Sequence, residues 1–124
     1  MNDYLTKFDK IKNSVGPLVE NLGKQMEAGD SEKLTVECKR FINELAAAEK
    51  NFSMLTPPPA YKKIHWLFAK LLKSYGPLVK QLKKYLRTGD GNYLLTLPDL
   101  LPVVEDRLNR FYDEVLRHNR EGVI

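Results

Sequence analysis

One cysteine, one tryptophan and two histidines are all that 124 residues offer to thiol, indole or imidazole chemistry. The lone Cys38 excludes an internal disulfide and fits a reducing compartment, so a cytoplasmic location is expected, or an extracytoplasmic one if a leader has been removed. No apolar run approaches the roughly 18 residues that a membrane-spanning helix needs. Met1-Asn2-Asp3-Tyr4, acidic at its third residue and without an apolar run, does not read as a signal peptide. The chain also lacks a glycine-rich phosphate loop, a Gly-x-Ser-x-Gly elbow and any Cys-x-x-Cys pair. No enzymatic activity and no cofactor are expected from these absences. Acid is missing in one place only: between Glu49 and Asp90 there is no Asp or Glu.

What the chain does have is a repeat. Val15-Gly16-Pro17-Leu18-Val19 returns as Tyr75-Gly76-Pro77-Leu78-Val79, and Gly29-Asp30 returns as Gly89-Asp90, both at an offset of 60 residues. Across 15–34 and 75–94, nine of twenty positions are identical. Self-similarity at a fixed period signals two copies of one supersecondary unit. The chain therefore reads as a single domain, 1–124. Repeat one covers about 3–55, a proline connector 56–59, and repeat two about 60–119.

Apolar residues recur at alternating spacings of three and four. The first set runs Tyr4, Phe8, Ile11, Val15, Leu18, Leu22, Met26, and adding 60 yields Ile64, Phe68, Leu71, Tyr75, Leu78, Leu82, Leu86. Two further sets run from Leu34 to Leu55 and from Leu101 to Val115. Such spacing puts each set on one helix face. The glycine of each Gly-Asp pair can close a helix and the aspartate can cap the next, which forces antiparallel neighbours. The expected fold is all-α, an antiparallel up-down-up-down four-helix bundle made of two duplicated hairpins. Proline inside a helix removes a hydrogen bond and clashes with the preceding turn. The Gly-Pro pairs are thus expected to bend or break the first and third helices, with a kink-lined pocket as the other reading. After Asp90, residues 91–97 form a separate turn, or else Pro98 and Pro102 kink a longer helix.

At about 100° per residue, Lys62, Lys73, Lys80, Lys84 and Arg87 share a stripe of the third helix, with Lys70 at its edge and Trp66 on it. Two readings stand side by side. In one the lysines pair with acids of neighbouring helices and the connector covers Trp66. In the other these residues bind a partner: an acidic protein surface first, then an anionic membrane, then nucleic acid. Lysine without arginine forks argues against specific reading of bases. Self-association through exposed aromatics is a further expectation.

His65 and His118 are expected at one end of the bundle with Glu114 beside them, a set that zinc accepts. Capping or packing accounts for the same residues more simply, and no Glu-x-x-His pair marks a di-iron bundle. A small-ligand or metal-binding bundle, using the Gly-Pro kinks or this end, is the alternative to the interaction module. Cys38 falls on the apolar seam of its helix, as a small buried hydrophobe does. On the fourth helix Asp106, Asp113 and Glu114 stand four residues before Arg110, Arg117 and His118, the spacing of an ion-paired, solvated face.

The segment Met54-Leu55-Thr56-Pro57-Pro58-Pro59-Ala60-Tyr61-Lys62-Lys63-Ile64-His65, followed by a helix and Gly89-Asp90, resembles the linker of a group of small bacterial helical-bundle proteins. In these a Pro-Pro, an aromatic and a histidine four residues on connect two helical hairpins. Many are uncharacterised secreted proteins or lipoproteins. The resemblance implies a bundle and a binding or structural role, and no activity.

Overall fold

The structure, a computed structural model, describes residues 3–120; the terminal Met1-Asn2 discussed above lies outside them. It is an all-α antiparallel four-helix bundle in which the first and third helices are each broken in two. The order is α1 (Asp3–Val15), α2 (Leu18–Ala28), α3 (Ser31–Ser53), α4 (Lys62–Ser74), α5 (Gly76–Thr88) and α6 (Leu97–Arg120). Short 3-10 turns occupy Pro59–Tyr61 and Gly91–Thr96.

Both breaks fall at the Gly-Pro pairs. The Gly16 amide closes the last turn of α1 on the Lys12 carbonyl at 2.9 Å, and Pro17, which has no N–H to give, interrupts the ladder before α2 begins. In the second copy the turn tightens one residue earlier, with the Tyr75 amide on the Leu72 carbonyl at 3.2 Å, and Pro77 sits inside the first turn of α5 where its missing donor costs nothing. Apolar side chains pack at both breaks. Val15 and Leu18 fill the first and Tyr75 and Leu78 the second, all four buried.

The repeat is legible in the burial pattern. Six seam pairs, from Tyr4/Ile64 to Leu22/Leu82, are buried in both copies, and the seventh, Met26/Leu86, is half-buried in both. Gly29 and Gly89 adopt left-handed φ values of 73° and 72°, a conformation that side chains with a Cβ resist. The Asp30 carboxylate accepts from the amides of Glu32 and Lys33 and starts α3. Asp90 makes the same bond to Asn92, and there the copies part. A 3-10 turn through buried Leu94 intervenes before α6, so the separate-turn reading holds. α6 then continues through Pro102, which leaves the Pro98 carbonyl without its usual partner.

One core joins the two hairpins. Phe8 of α1 meets Phe68 of α4 edge-on at 5.0 Å and Phe111 of α6 at 6.0 Å; Phe41 of α3 meets Tyr75 at 5.9 Å. These cross-repeat aromatic contacts stabilise the pairing of hairpins by more than area alone. Among the described residues no helix is long and apolar enough to cross a membrane.

Candidate partner-binding face

α4 turns Ile64, Phe68, Leu71 and Leu72 into the core. Trp66, two residues from Phe68, therefore projects to the opposite side, and it is 55% exposed. The proline connector does not cover it. Instead the connector buries Tyr61, whose ring lies 5.9 Å from Tyr4 and 4.9 Å from His118. Lys70, one turn on from Trp66, holds its ammonium 4.3 Å from the indole centroid, a cation–π contact.

The lysines of the stripe are not paired with neighbouring acids. Among the described residues Lys62, Lys70, Lys73, Lys80, Lys84 and Arg87 have no carboxylate in ion-pair range. The lysine of α4 that does pair is Lys63, at 3.2 Å from Glu114. The stripe is also divided. Lys62, Trp66, Lys70 and Lys73 lie on α4, whereas Lys80, Lys84 and Arg87 lie on α5 beyond the break, where Lys84 leans toward the Tyr93 ring at 5.7 Å. Tyr75 at the break keeps αR dihedrals, and the buried seam runs through it from Phe68 and Leu71 to Leu78 and Leu82 at unbroken three-and-four spacing.

The structure adds a second helix to the α4 face. Lys70, Lys73 and Ser74 share with Val103 and Arg107 of α6 a shallow cleft of about 290 Å³. Arg107 was not singled out in the sequence. One signal was available: no acid stands three or four residues to either side of it, unlike Arg110 and Arg117.

At the histidine end the three expected residues do come to the same region, but they face different neighbours. His65 stacks on Phe52 at 4.2 Å and shares a 2.9 Å hydrogen bond between its Nδ1 and the Tyr4 hydroxyl; burial lowers its pKa below the ordinary value of 6.5. His118, buried, donates from Nε2 to the Ala60 carbonyl at 2.9 Å, and its Nδ1 has no partner. Glu114, 7% exposed, binds Arg117 and Lys63, and the Arg117 hydrogen bond above all holds its carboxyl below the usual range. On this helix face Asp106–Arg110 pairs at 3.0 Å as its spacing predicts, while Glu114 takes Arg117 in place of His118. Among the described residues no three His, Cys, Asp or Glu side chains are placed to hold a metal ion.

Cys38 is fully buried, and its thiol is pushed up to about 11 by that burial and, less, by the Glu37 charge. An apolar cleft of about 250 Å³ lies between α2, α5 and the start of α6, walled by Leu22, Gly23, Met26, Leu78, Leu97 and Leu101. The molecule is an all-α four-helix bundle that carries an aromatic-and-basic face on α4. No family model matches the chain, and no curated protein or solved structure does either.

Proposed function

We propose that the chain is a non-enzymatic interaction module that binds an acidic protein surface through the α4 face of Trp66, Lys62, Lys70 and Lys73. The observation that carries this reading is a half-exposed indole set among cations that, among the described residues, have no acid in ion-pair range. Interface hot spots are built from such aromatics, desolvated at the centre of a contact and ringed by polar groups. Lys80, Lys84 and Arg87 on α5 extend the same positive field and steer association more than they anchor it. A membrane is the weaker partner, because interfacial helices present a wide apolar face and this one offers a single aromatic. A reducing compartment such as the cytoplasm suits the free Cys38 thiol.

Trp66 is its own reporter. Its emission is followed at low and moderate salt while an acidic polypeptide, anionic vesicles and duplex DNA are added in turn. A shift or quench with the polypeptide that salt abolishes supports the reading. A response to vesicles or DNA alone reassigns the partner, and no response to any of them refutes the face as a binding surface.

The apolar cleft beside Gly23 favours a second reading, a site for a small apolar ligand. A Cβ built on Gly23 meets nothing within 4 Å. Against it, about 250 Å³ falls short of the roughly 300–1,000 Å³ of ordinary ligand pockets. Saturation of the cleft by a small hydrocarbon, and its loss in Gly23→Leu, test that reading.

A further inference from the structure

Both hairpins carry a serine at the same place, Ser14 and Ser74, near the end of the first half of a broken helix. In the first hairpin the Ser14 hydroxyl donates across the seam to Glu44 at 3.3 Å. The other carboxylate oxygen of Glu44 takes the Arg40 Nε at 3.3 Å. That seam supplies its own anion and its own cation.

In the second hairpin the residues that share the cleft with Ser74 are Lys70, Lys73, Val103 and Arg107. Among the described residues no carboxylate lines it. Among the described residues none of Lys70, Lys73 and Arg107 has an acid in ion-pair range. The Ser74 hydroxyl, with no carboxylate to reach, turns back to the Leu71 carbonyl of its own helix at 2.5 Å. Three like charges on one seam repel each other, and an anion that enters between them removes that repulsion while gaining attraction from all three. Val103, 54% exposed, supplies an apolar wall, and Lys70 links the cleft to the Trp66 ring.

We infer that this cleft is the subsite for a carboxylate, an Asp or Glu side chain of the acidic partner, which takes the place that Glu44 fills from within in the first hairpin. The inference rests on the acidic-partner reading above and narrows it to one seam, with Arg107 as a binding residue and Trp66 as the adjoining anchor. The guanidinium suits the role, since its planar fork matches a carboxylate better than an ammonium does.

The probe is a short Glu-rich peptide, titrated calorimetrically into the wild type and four variants whose helicity is checked by circular dichroism. Arg107→Ala removes the fork and is expected to weaken binding about tenfold, as loss of a charged hydrogen bond does. Val103→Glu places a carboxylate one turn before Arg107, in the favourable orientation, and occupies the subsite from inside. It is expected to weaken the peptide at least as much. Val103→Gln has the same bulk without the charge and is expected to stay within about twofold of wild type. Equal losses in Val103→Glu and Val103→Gln, or wild-type affinity in Val103→Glu, overturn the inference. If Trp66→Ala weakens the peptide while Arg107→Ala and Val103→Glu do not, the acidic-partner reading stands and this subsite falls. If the wild type does not bind the peptide at all, both fall. Competition by inorganic phosphate far below the concentration at which acetate competes also overturns it, in favour of a phosphoryl group.

Discussion

Trp66 and Phe68 are two residues apart on α4, and truncating each to alanine should have opposite consequences. Phe68 is 1% exposed and touches Phe8, Phe52 and Phe111 at centroid distances of 5.0, 5.3 and 5.1 Å. Removing it leaves a cavity at the junction of both hairpins, and a buried Phe→Ala change costs about 3–5 kcal/mol. For a domain of this size that is a large share of the roughly 5–15 kcal/mol that separates folded from unfolded chains. Trp66→Ala loses the Lys70 contact, worth about 0.5–1 kcal/mol at an exposed site, and some partly covered apolar area. Alanine returns about 0.5 kcal/mol through its better helix propensity. The net expectation is a loss near 1 kcal/mol. Urea denaturation followed by circular dichroism measures both, since Trp66→Ala has no tryptophan to report. A Trp66→Ala loss of about 3 kcal/mol, comparable to that of Phe68→Ala, would mean that the indole is a core residue and would refute the binding-face argument at its root.

Four further expectations follow from the packing. Gly23→Ala, in the middle of α2 with open space at the Cβ, should stabilise by about 0.5–1 kcal/mol, read as a higher urea midpoint at unchanged m-value. Asp30→Ala should cost about 1 kcal/mol, because the amides of Glu32 and Lys33 lose their cap. Stability should fall with acid in two stages. His65 has a folded pKa below its unfolded value of 6.5, so the unfolded chain takes up a proton first and stability declines as pH drops below 6.5, levelling off once the folded form protonates. Glu114 contributes stability that is complete above its unfolded value of 4.5 and is lost as pH falls through its lower folded value. Urea midpoints across the acid range check this, and in His65→Gln the first stage should vanish. Finally, the Cys38 thiol, buried and raised to about 11, should resist a water-soluble alkylating reagent in the native protein and react on unfolding; rapid labelling without denaturant contradicts its place in the core.

The fold was legible because its signals are local. A helix face, a left-handed glycine and a capping aspartate each act over a few residues, so the Tyr4-to-Leu22 seam, Gly29 and Asp30 could be read directly, and their 60-residue echoes doubled the signal. The three-and-four spacing carries through the turn at Tyr75, from Phe68 and Leu71 to Leu78 and Leu82, so that break divides the basic stripe between α4 and α5 without shifting the core-facing phase. What escaped was tertiary. The cleft at Arg107 depends on α6 lying beside α4 in one register, a tertiary relation that residue spacing on either helix does not encode. The 3-10 turn at Gly91–Thr96 helps set that register, and its sequence offered two readings, of which packing of Leu94 and Leu97 into the core selected one. His118 is a smaller case of the same kind: its hydrogen bond goes to Ala60 in the connector, 58 residues away.

Amide and indole NMR shifts of isotope-labelled protein, recorded as the Glu-rich peptide is added, test the central claim most directly. The account predicts perturbations centred on Trp66, Lys70, Lys73, Val103 and Arg107, fading as salt is raised. Perturbations centred on the Gly23–Leu101 cleft or on the histidine end, or none at all, would contradict it.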